Sequence, residues 1–330
     1  MESSNPVVLV TGGAGYIGSV ACKRLAAAGF LPVVLDNLSR GHRDFVKWGP
    51  LEQADIGDSA ALDRVIARHR PVAVMHFAAL TYVGESVSNP AIYYRNNVAG
   101  SLTLLEAAQR HDVRNVVFSS TCATYGIPER LPIAEDTPQA PIHPYGASKL
   151  MIERMLADFA AAYGMRWVAL RYFNACGADP DGEVGERHDP ETHLIPLTLM
   201  AAAGRLPHIK ILGDGYPTKD GTCIRDYIHV CDLADAHIRA LHYLIDGGAP
   251  QAFNLGTGIG HTVLDVIRTA ERVTGRPIRV QVAPQRSGDA AILVADPSLA
   301  GATLGFRAAF GLDESIRTAW RWYQSEICGS

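Results

Sequence analysis

Tyr145 and Lys149 bound the run Tyr145-Gly146-Ala147-Ser148-Lys149. On a helix that spacing puts a phenol and an ammonium one turn apart on the same face. A free phenol, with a pKa of about 10, is a poor base at neutral pH. A cation beside it favours the phenolate and brings the group toward the working range. The pair alone occurs by chance in many helices. It gains weight from Ser119-Ser120-Thr121 at the end of a β-branched run, where Thr121 can share a proton with the oxygen that Tyr145 deprotonates.

A second constellation lies upstream, where Val7-Val8-Leu9-Val10-Thr11 runs into Gly12-Gly13-Ala14-Gly15-Tyr16-Ile17-Gly18 and then a helical pattern. Two glycine spacings overlap there, Gly13-x-Gly15-x-x-Gly18 and Gly12-x-x-Gly15-x-x-Gly18. A strand-to-helix turn without Cβ atoms lets backbone N–H groups approach a pyrophosphate, and the helix N-terminus favours its charge. Any tight turn uses glycine, so context decides. Asp36 closes the second β-type run, near the ~20-residue spacing of a ribose-binding acid. A carboxylate there accepts from both ribose hydroxyls and repels a 2′-phosphate, which selects NAD over NADP. Its oxidised nicotinamide is a second positive charge favouring the Tyr145 phenolate. Asp55-Ile56 is placed to contact the adenine, and Phe77-Ala78-Ala79 supplies small residues where backbone must pass close to a cofactor. No set of side chains is singled out as metal ligands, and no metal is expected.

These groups need elements to hold them. Segments 7–10, 33–36, 72–77, 115–119 and 167–171 read as buried strands. Segments 16–28, 59–68, 91–110 and 145–163 between them read as helices. That alternation predicts an α/β fold, a Rossmann-type doubly wound parallel sheet with right-handed helical crossovers. Two stretches break the rhythm. Segment 126–144 carries prolines at 128, 132, 138, 141 and 144 and reads as a long ordered loop. Segment 176–192, rich in Gly, Asp, Glu and Pro, marks the passage into a smaller α/β domain. Helices are expected from about 193, near 232–244 and near 263–273, with a strand near 209–212. The division is therefore 6–175 for the dinucleotide and 176–330 mainly for substrate, with about 226–256 returning to the first through a strand at 253–255.

Composition bounds the partners. At 330 residues the chain fits two domains, and 48% hydrophobic with 19% charged residues describes a folded protein. A net charge of −4 argues against nucleic acid. The longest uncharged apolar stretch, 194–204, falls short of the ~18 residues of a membrane span, so no membrane partner is expected. Residues 1–6 are short and polar, unlike a signal peptide. Cysteines at 22, 122, 176, 223, 231 and 328 are scattered, which suits a reducing, cytoplasmic setting.

Taken together the chain resembles the extended short-chain dehydrogenase/reductases, and more narrowly the UDP-glucose 4-epimerases. Besides the runs above, the resemblance rests on His76-Phe77-Ala78-Ala79, Val83-Gly84-Glu85-Ser86, Asn96-Asn97, the stretches 118–126 and 144–149, Arg171-Tyr172-Phe173-Asn174, Arg225-Asp226-Tyr227-Ile228-His229-Val230 and Asn254-Leu255-Gly256. It implies an NAD-binding domain, a smaller UDP-sugar domain and a homodimer. Tyr145 then matches the catalytic base, Lys149 its helical partner and Thr121 the hydroxyl completing the set. Gly12, Gly15, Tyr16, Ile17, Gly18, Asp36 and Asn37 fall on the cofactor side, with Asp55, Ile56, Phe77, Ala78, Ala79 and Asn96. Phe173 and Asn174 mark the step from cofactor to substrate pocket. Arg225, Arg286 and Asp289 match uridine and diphosphate contacts, and His193, Leu194 and Leu293 complete the substrate side.

Three positions depart from the family pattern. Thr81 replaces a lysine of several relatives, removing a cationic contact. His193 stands where asparagine is usual beside the UDP, though its ring can still donate one hydrogen bond. Leu293 occupies a position that varies between bulky and small beside the sugar. The implied reaction is epimerisation at C4 through a 4-keto sugar, with Tyr145 taking the hydroxyl proton and bound NAD recycled. A 4,6-dehydratase would need an acid–base pair after the threonine, and Cys122-Ala123 stand there instead. Epimerases of UDP-pentoses, UDP-glucuronate or N-acetylated sugars, and a non-catalytic NAD sensor, are the competing readings. For the dimer, Leu102, Leu105, Met151, Met155 and Phe159 form apolar helix faces that can pair with a second copy as a four-helix bundle.

Overall fold

The computed structural model describes residues 5–285 and 288–328. Six strands come in order through the first half: β1 (Val7–Thr11), β2 (Leu31–Asp36), β3 (Leu51–Gln53), β4 (Ala73–His76), β5 (Asn115–Thr121) and β6 (Arg166–Tyr172). Seven follow: β7 (Asn174–Cys176), β8 (Ile209–Leu212), β9 (Ile224–His229), β10 (Gln251–Leu255), β11 (Gly260–Thr262), β12 (Val280–Ala283) and β13 (Ile292–Leu293). The main sheet runs β3-β2-β1-β4-β5-β6-β10 and every neighbouring pair is parallel. This is the doubly wound fold the alternation predicts.

The strands are near-continuous hydrophobic runs because both faces are covered. Val8 and Val10 point into one apolar layer, with Leu233, Leu241 and Leu244 of helix Val230–Ile245. Leu9, between them, points into the opposite layer, with Leu62, Leu104 and Leu156 from three other helices. Successive side chains of a strand must do this. The order reverses between β1 and β4, so their carboxyl ends open a crevice at the switch point.

The smaller part centres on β9, which pairs in parallel with β7 and β13 and antiparallel with β11. A separate parallel pair, β8 with β12, stands beside it. Its core joins Ile195, Ile211, Tyr227, Ile267 and Ile316. From β9 the chain passes through helix Val230–Ile245 back to the main sheet, where β10 pairs with β6.

Two sequence expectations are corrected. The helix read at 91–110 is three pieces, with a wide π-helical turn at Tyr94–Ala99 between Pro90–Tyr93 and Gly100–Arg110. An inserted residue of this kind leaves the apolar periodicity legible on both sides. Of the faces expected to be free for pairing, Leu105 is fully committed to the core, and Met155 and Phe159 pack against it; Leu102 and Met151 stay exposed. Among the described residues no helix is long and apolar enough to cross a membrane.

Candidate active site

A cleft of about 1240 Å³ follows the carboxyl ends of the main sheet into the smaller part. That exceeds the ~300–1,000 Å³ of a pocket for one small molecule. Asp36 ends β2, Gly12 follows β1, Phe77 follows β4, Thr121 ends β5 and Phe173 follows β6, so all five line the cleft in the order of the sheet.

At its first end, Gly12 has φ +73°, and a Cβ on it would lie 2.6 Å from the backbone nitrogen of Ala78. Only glycine lets β1 and β4 come this close at the crevice. Helix Tyr16–Ala27 begins at Gly15 with no side-chain cap, so its first amides face the cleft beside Gly15, Tyr16, Ile17 and Gly18. An uncapped helix start behind a Cβ-free turn fits a pyrophosphate. Asp36 is 8% exposed and accepts from the amides of Ala14 (3.1 Å) and Leu38 (2.8 Å), which fixes its carboxylate at the rim. Burial raises its pKa, and those two amides oppose the rise. Asn37, Ile56, Phe77, Ala78, Ala79 and Asn96 also line the cleft. Asp55 does not: its carboxylate accepts from Asn37 Nδ2 (2.7 Å) and from the amide of Gly57 (2.7 Å). The π-helical turn has a purpose here. It aims the buried Asn97 at Leu80, whose amide donates to Asn97 Oδ1 (2.8 Å) and whose carbonyl accepts from its Nδ2 (3.0 Å). Asn96 beside it donates to the same Oδ1 at 2.9 Å.

At the middle, helix Pro144–Tyr163 presents Tyr145 and Lys149 on one face. His143 caps it, Nδ1 accepting from the amide of Gly146 at 3.1 Å. A Cβ on Gly146 would sit 2.6 Å from the carbonyl oxygen of Ala123, so the helix start lies directly on the segment after Thr121. Lys149 Nζ donates to the carbonyl of Ser119 at 2.8 Å and stands over the Phe118 ring. Burial pushes its pKa down to about 7, against the pull of Glu153. Tyr145 differs from the sequence expectation. Burial pushes its phenol well above the ordinary value and the Tyr172 hydroxyl adds to this, while a hydrogen bond with Thr121 opposes it. Taken alone, the chain's own groups disfavour the phenolate, burial being the largest cause.

Glu153 and Arg171, both buried, form an ion pair at 2.6 Å. Arg171 Nη1 also donates to the Tyr125 hydroxyl (2.8 Å), which donates to Asn254 Oδ1 (2.7 Å), and Asn254 Nδ2 donates to the carbonyl of Ile133 (2.8 Å). This chain ties the helix Pro144–Tyr163, β6, β10 and the proline-rich loop into one unit. Removing one member of such a pair leaves a buried charge, at a cost of about 3–5 kcal/mol.

At the far end, Asn174, Leu194, Arg225, Asp289 and Leu293 line the cleft with His193. Arg225 Nη2 donates to Asp289 Oδ1 at 2.6 Å, and Leu293 lies opposite Arg225 in the β9–β13 register. Leu293 packs against the cluster of Cys122, Tyr125, Ile133, Phe173 and Ala295. Asn174 Nδ2 donates to the carbonyl of Asp226 at 3.1 Å. Arg286 lies outside the described residues. The sequence reading missed the wall from Leu206 to Gly213, which includes β8, and the group Glu186, His188 and Glu191 around His193. The run Glu186-x-His188-x-x-Glu191-x-His193 was the available signal for the latter.

The chain belongs to the NAD dependent epimerase/dehydratase family, whose model matches residues 8–256. It is 54% identical over 316 residues to a UDP-glucose 4-epimerase of Rhizobium leguminosarum bv. trifolii, covering 96% of this chain and 97% of that one. Among solved structures it is similar to UDP-glucose 4-epimerase from Brucella ovis in complex with NAD, at 56% identity and TM-score 0.94, over 96% of this chain and 97% of that one. It is also similar to the Stenotrophomonas maltophila UDP-glucose-4-epimerase with bound NAD and formylated UDP-arabinopyranose, at 40% identity and TM-score 0.96, over 98% and 100%.

Proposed function

We infer that this protein is an NAD-dependent UDP-glucose 4-epimerase, interconverting UDP-glucose and UDP-galactose through a 4-keto sugar. One observation carries the reading: the cleft runs without a break from the glycine turn and Asp36, past Tyr145, Thr121 and Lys149, to Arg225 and Asp289. That succession suits a dinucleotide and a nucleotide sugar meeting at the phenol. The similarity to UDP-glucose 4-epimerases, one of them in complex with NAD, supports the same activity and cofactor.

C4 of the sugar carries a hydroxyl and no acidified C–H bond, so direct proton abstraction is a poor route to inversion. Oxidation to a ketone removes the stereocentre, and reduction from the other face restores it inverted. NAD, when bound, supplies that redox chemistry by accepting hydride from C4 and returning it. The residues Gly12, Gly15 and Gly18 with Asp36 hold it by backbone amides and a carboxylate. Tyr145 takes the 4-hydroxyl proton as the ketone forms and gives it back as the ketone is reduced. Thr121, which lines the same part of the cleft, is placed to share that proton. Burial holds the phenol up, so an oxidised cofactor would supply the positive charge that favours its ionised form, and Lys149, with a pKa of about 7, would add to it while protonated. Arg225 anchors the UDP by charge-assisted hydrogen bonds, which lets the 4-keto sugar turn about its link to the nucleotide.

We also propose that 6–175 with 226–256 serve the cofactor, that the rest of 176–330 serves the nucleotide sugar, and that two copies pair through the faces of Leu102 and Met151. These two side chains, 38% and 42% exposed, support the pairing. A reducing, cytoplasmic setting is supported by Cys22, Cys122, Cys176 and Cys231, which are buried and form no disulfide.

The test is to incubate the purified protein with UDP-galactose and no added cofactor, then separate the nucleotide sugars. UDP-glucose at equilibrium with the substrate is expected. An unchanged substrate with NAD bound, or a dehydrated 6-deoxy product, overturns the reading.

A further inference from the structure

In the loop between β7 and helix Leu194–Ala202, four side chains aim their donor atoms at one point: Glu186, His188, Glu191 and His193. One donor atom from each lies within 4.8 Å of all the others. His193 Nδ1 is 2.8 Å from Glu186 Oε1 and 3.3 Å from Glu191 Oε1. His188 Nδ1 is 3.3 Å from Glu186 Oε1 and 3.6 Å from Glu191 Oε2. A tetrahedral zinc ion with bonds of about 2.0–2.2 Å sets its ligands about 3.3–3.6 Å apart; three of the four contacts have that spacing, and the fourth, His193 to Glu186 at 2.8 Å, is at a hydrogen-bonding distance that an entering ion would open.

We propose that this loop binds one divalent transition-metal ion of the zinc class through Glu186, His188, Glu191 and His193.

Hydrogen bonding alone leaves the cluster unsettled. His188 Nδ1 is buried and has no hydrogen-bond partner, although two carboxylates stand beside it. That nitrogen is held by ion-pair contact with Glu186 and Glu191 rather than by an aligned hydrogen bond, and a metal ion would take the place of its proton. The donor set of two imidazoles and two carboxylates is the nitrogen–oxygen mixture zinc accepts, and two carboxylates balance its charge. Glu186 and Glu191 are only 8% and 10% exposed, so their charges are screened little by solvent. Tyr16 and Tyr82 meet the His188 ring edge-on, at centroid distances of 6.4 and 5.9 Å, and fix its plane. Four protein ligands make a closed site, so the ion is structural and takes no part in the chemistry.

What it would fix is visible from the loop's other contacts. Arg187, between two ligands, pairs with Asp44 at 3.0 Å, and its carbonyl meets His42 Nε2 at 2.9 Å. Arg40 Nη1 donates to the carbonyl of Asp189 at 3.3 Å. His193 stands at the start of the helix Leu194–Ala202 on the substrate side. An ion here locks a strap joining the loop after Asp36 to the far end of the cleft.

The inference stands apart from the epimerase reading, and its test does not depend on turnover. Full-length protein is stripped with a chelator, reloaded with zinc chloride, passed through a desalting column and assayed for metal by mass spectrometry. About one zinc per chain is expected, with melting raised by about 5 °C at a hundredfold excess over Kd. His188→Gln and Glu191→Gln should each lose more than the roughly ten- to hundredfold in affinity that loss of an outer-shell partner costs, and their melting response at the same zinc concentration should fall to about half or less of the wild-type value. Their far-UV spectra and melting points in chelator are compared with stripped wild type, to separate lost binding from lost folding. Wild type that retains no zinc and shows no melting response overturns the proposal and leaves a cluster held by protons. Equal zinc retention by folded His188→Gln also overturns it, because the ion then sits elsewhere.

Discussion

The two ends of the cleft are built differently. The cofactor end is made of loops that leave the carboxyl ends of β1, β2 and β4, three adjacent strands of one buried parallel sheet. Its side chains are held by backbone, as Asp36 is by two amides. The substrate end is gathered from β9, a two-residue strand β13, a helix start and the wall at β8. Its polar groups hold one another, as Arg225 and Asp289 do at 2.6 Å. A rigid frame suits a cofactor that stays in place. Side chains that pair with each other suit a ligand that must arrive, turn and leave, because the same groups can exchange partners at small cost.

Tyr145 stands where the two ends meet, and its loss has the largest expected effect. Tyr145→Phe should keep the fold and the bound NAD while turnover falls by about 10²-fold or more, the scale of general acid–base catalysis. Near-normal turnover in that variant would contradict its role. Next come paired variants, one at each end. Arg225→Ala should raise the KM for UDP-galactose by about 10–10²-fold, since a hydrogen bond to a charged group is worth about 1.5–3 kcal/mol. Asp36→Ala should instead weaken NAD retention on gel filtration and relax discrimination against NADP. If both variants moved the same parameter, the division into two ends would fail.

A smaller effect concerns the sugar. Leu293 lines the cleft against the cluster that holds Phe173, and a bulkier 2-acetamido group has to displace it. Overfilling costs about 1–3 kcal/mol, or one to two powers of ten in discrimination. Leu293→Ala should raise the ratio of catalytic efficiencies, UDP-N-acetylgalactosamine over UDP-galactose, by that order. An unchanged ratio removes Leu293 as the gate.

The smallest concerns stability at the middle of the cleft. The Lys149 pKa falls from 10.5 to about 7 on burial, so between those values the unfolded chain holds a proton that the folded chain lacks. Stability from this site therefore rises with pH across the window. The melting temperature of wild type minus that of Lys149→Met should increase by a few degrees from about pH 7 to pH 10. A flat difference contradicts the burial argument.

The unequal legibility of the two ends follows from the same architecture. The glycine turn, Asp36 and the Tyr145–Lys149 pair are local patterns attached to strands whose hydrophobic runs are self-evident, so sequence brings them together in the right order. At the substrate end, contact depends on how distant short strands pair, and β7, β11 and β13, of two or three residues, are too short to show a period. Leu105 illustrates the limit on a helix, where spacing gives a face but not which neighbour covers it. Asp55 shows the same for a polar group: a strand-end acid expected at the adenine also accepts from Asn37, a partner that no spacing announces. The Glu186–His193 cluster is written in a single loop, but its convergence depends on a backbone path that no periodicity describes.

The central claim is that one bound cofactor takes hydride from C4 and gives it back to the opposite face. UDP-galactose deuterated at C4, turned over in ordinary water with excess unlabelled NAD present, tests this most directly. The account predicts that the UDP-glucose formed keeps its deuterium at C4. Loss of the label to solvent or to the free NAD pool would contradict it.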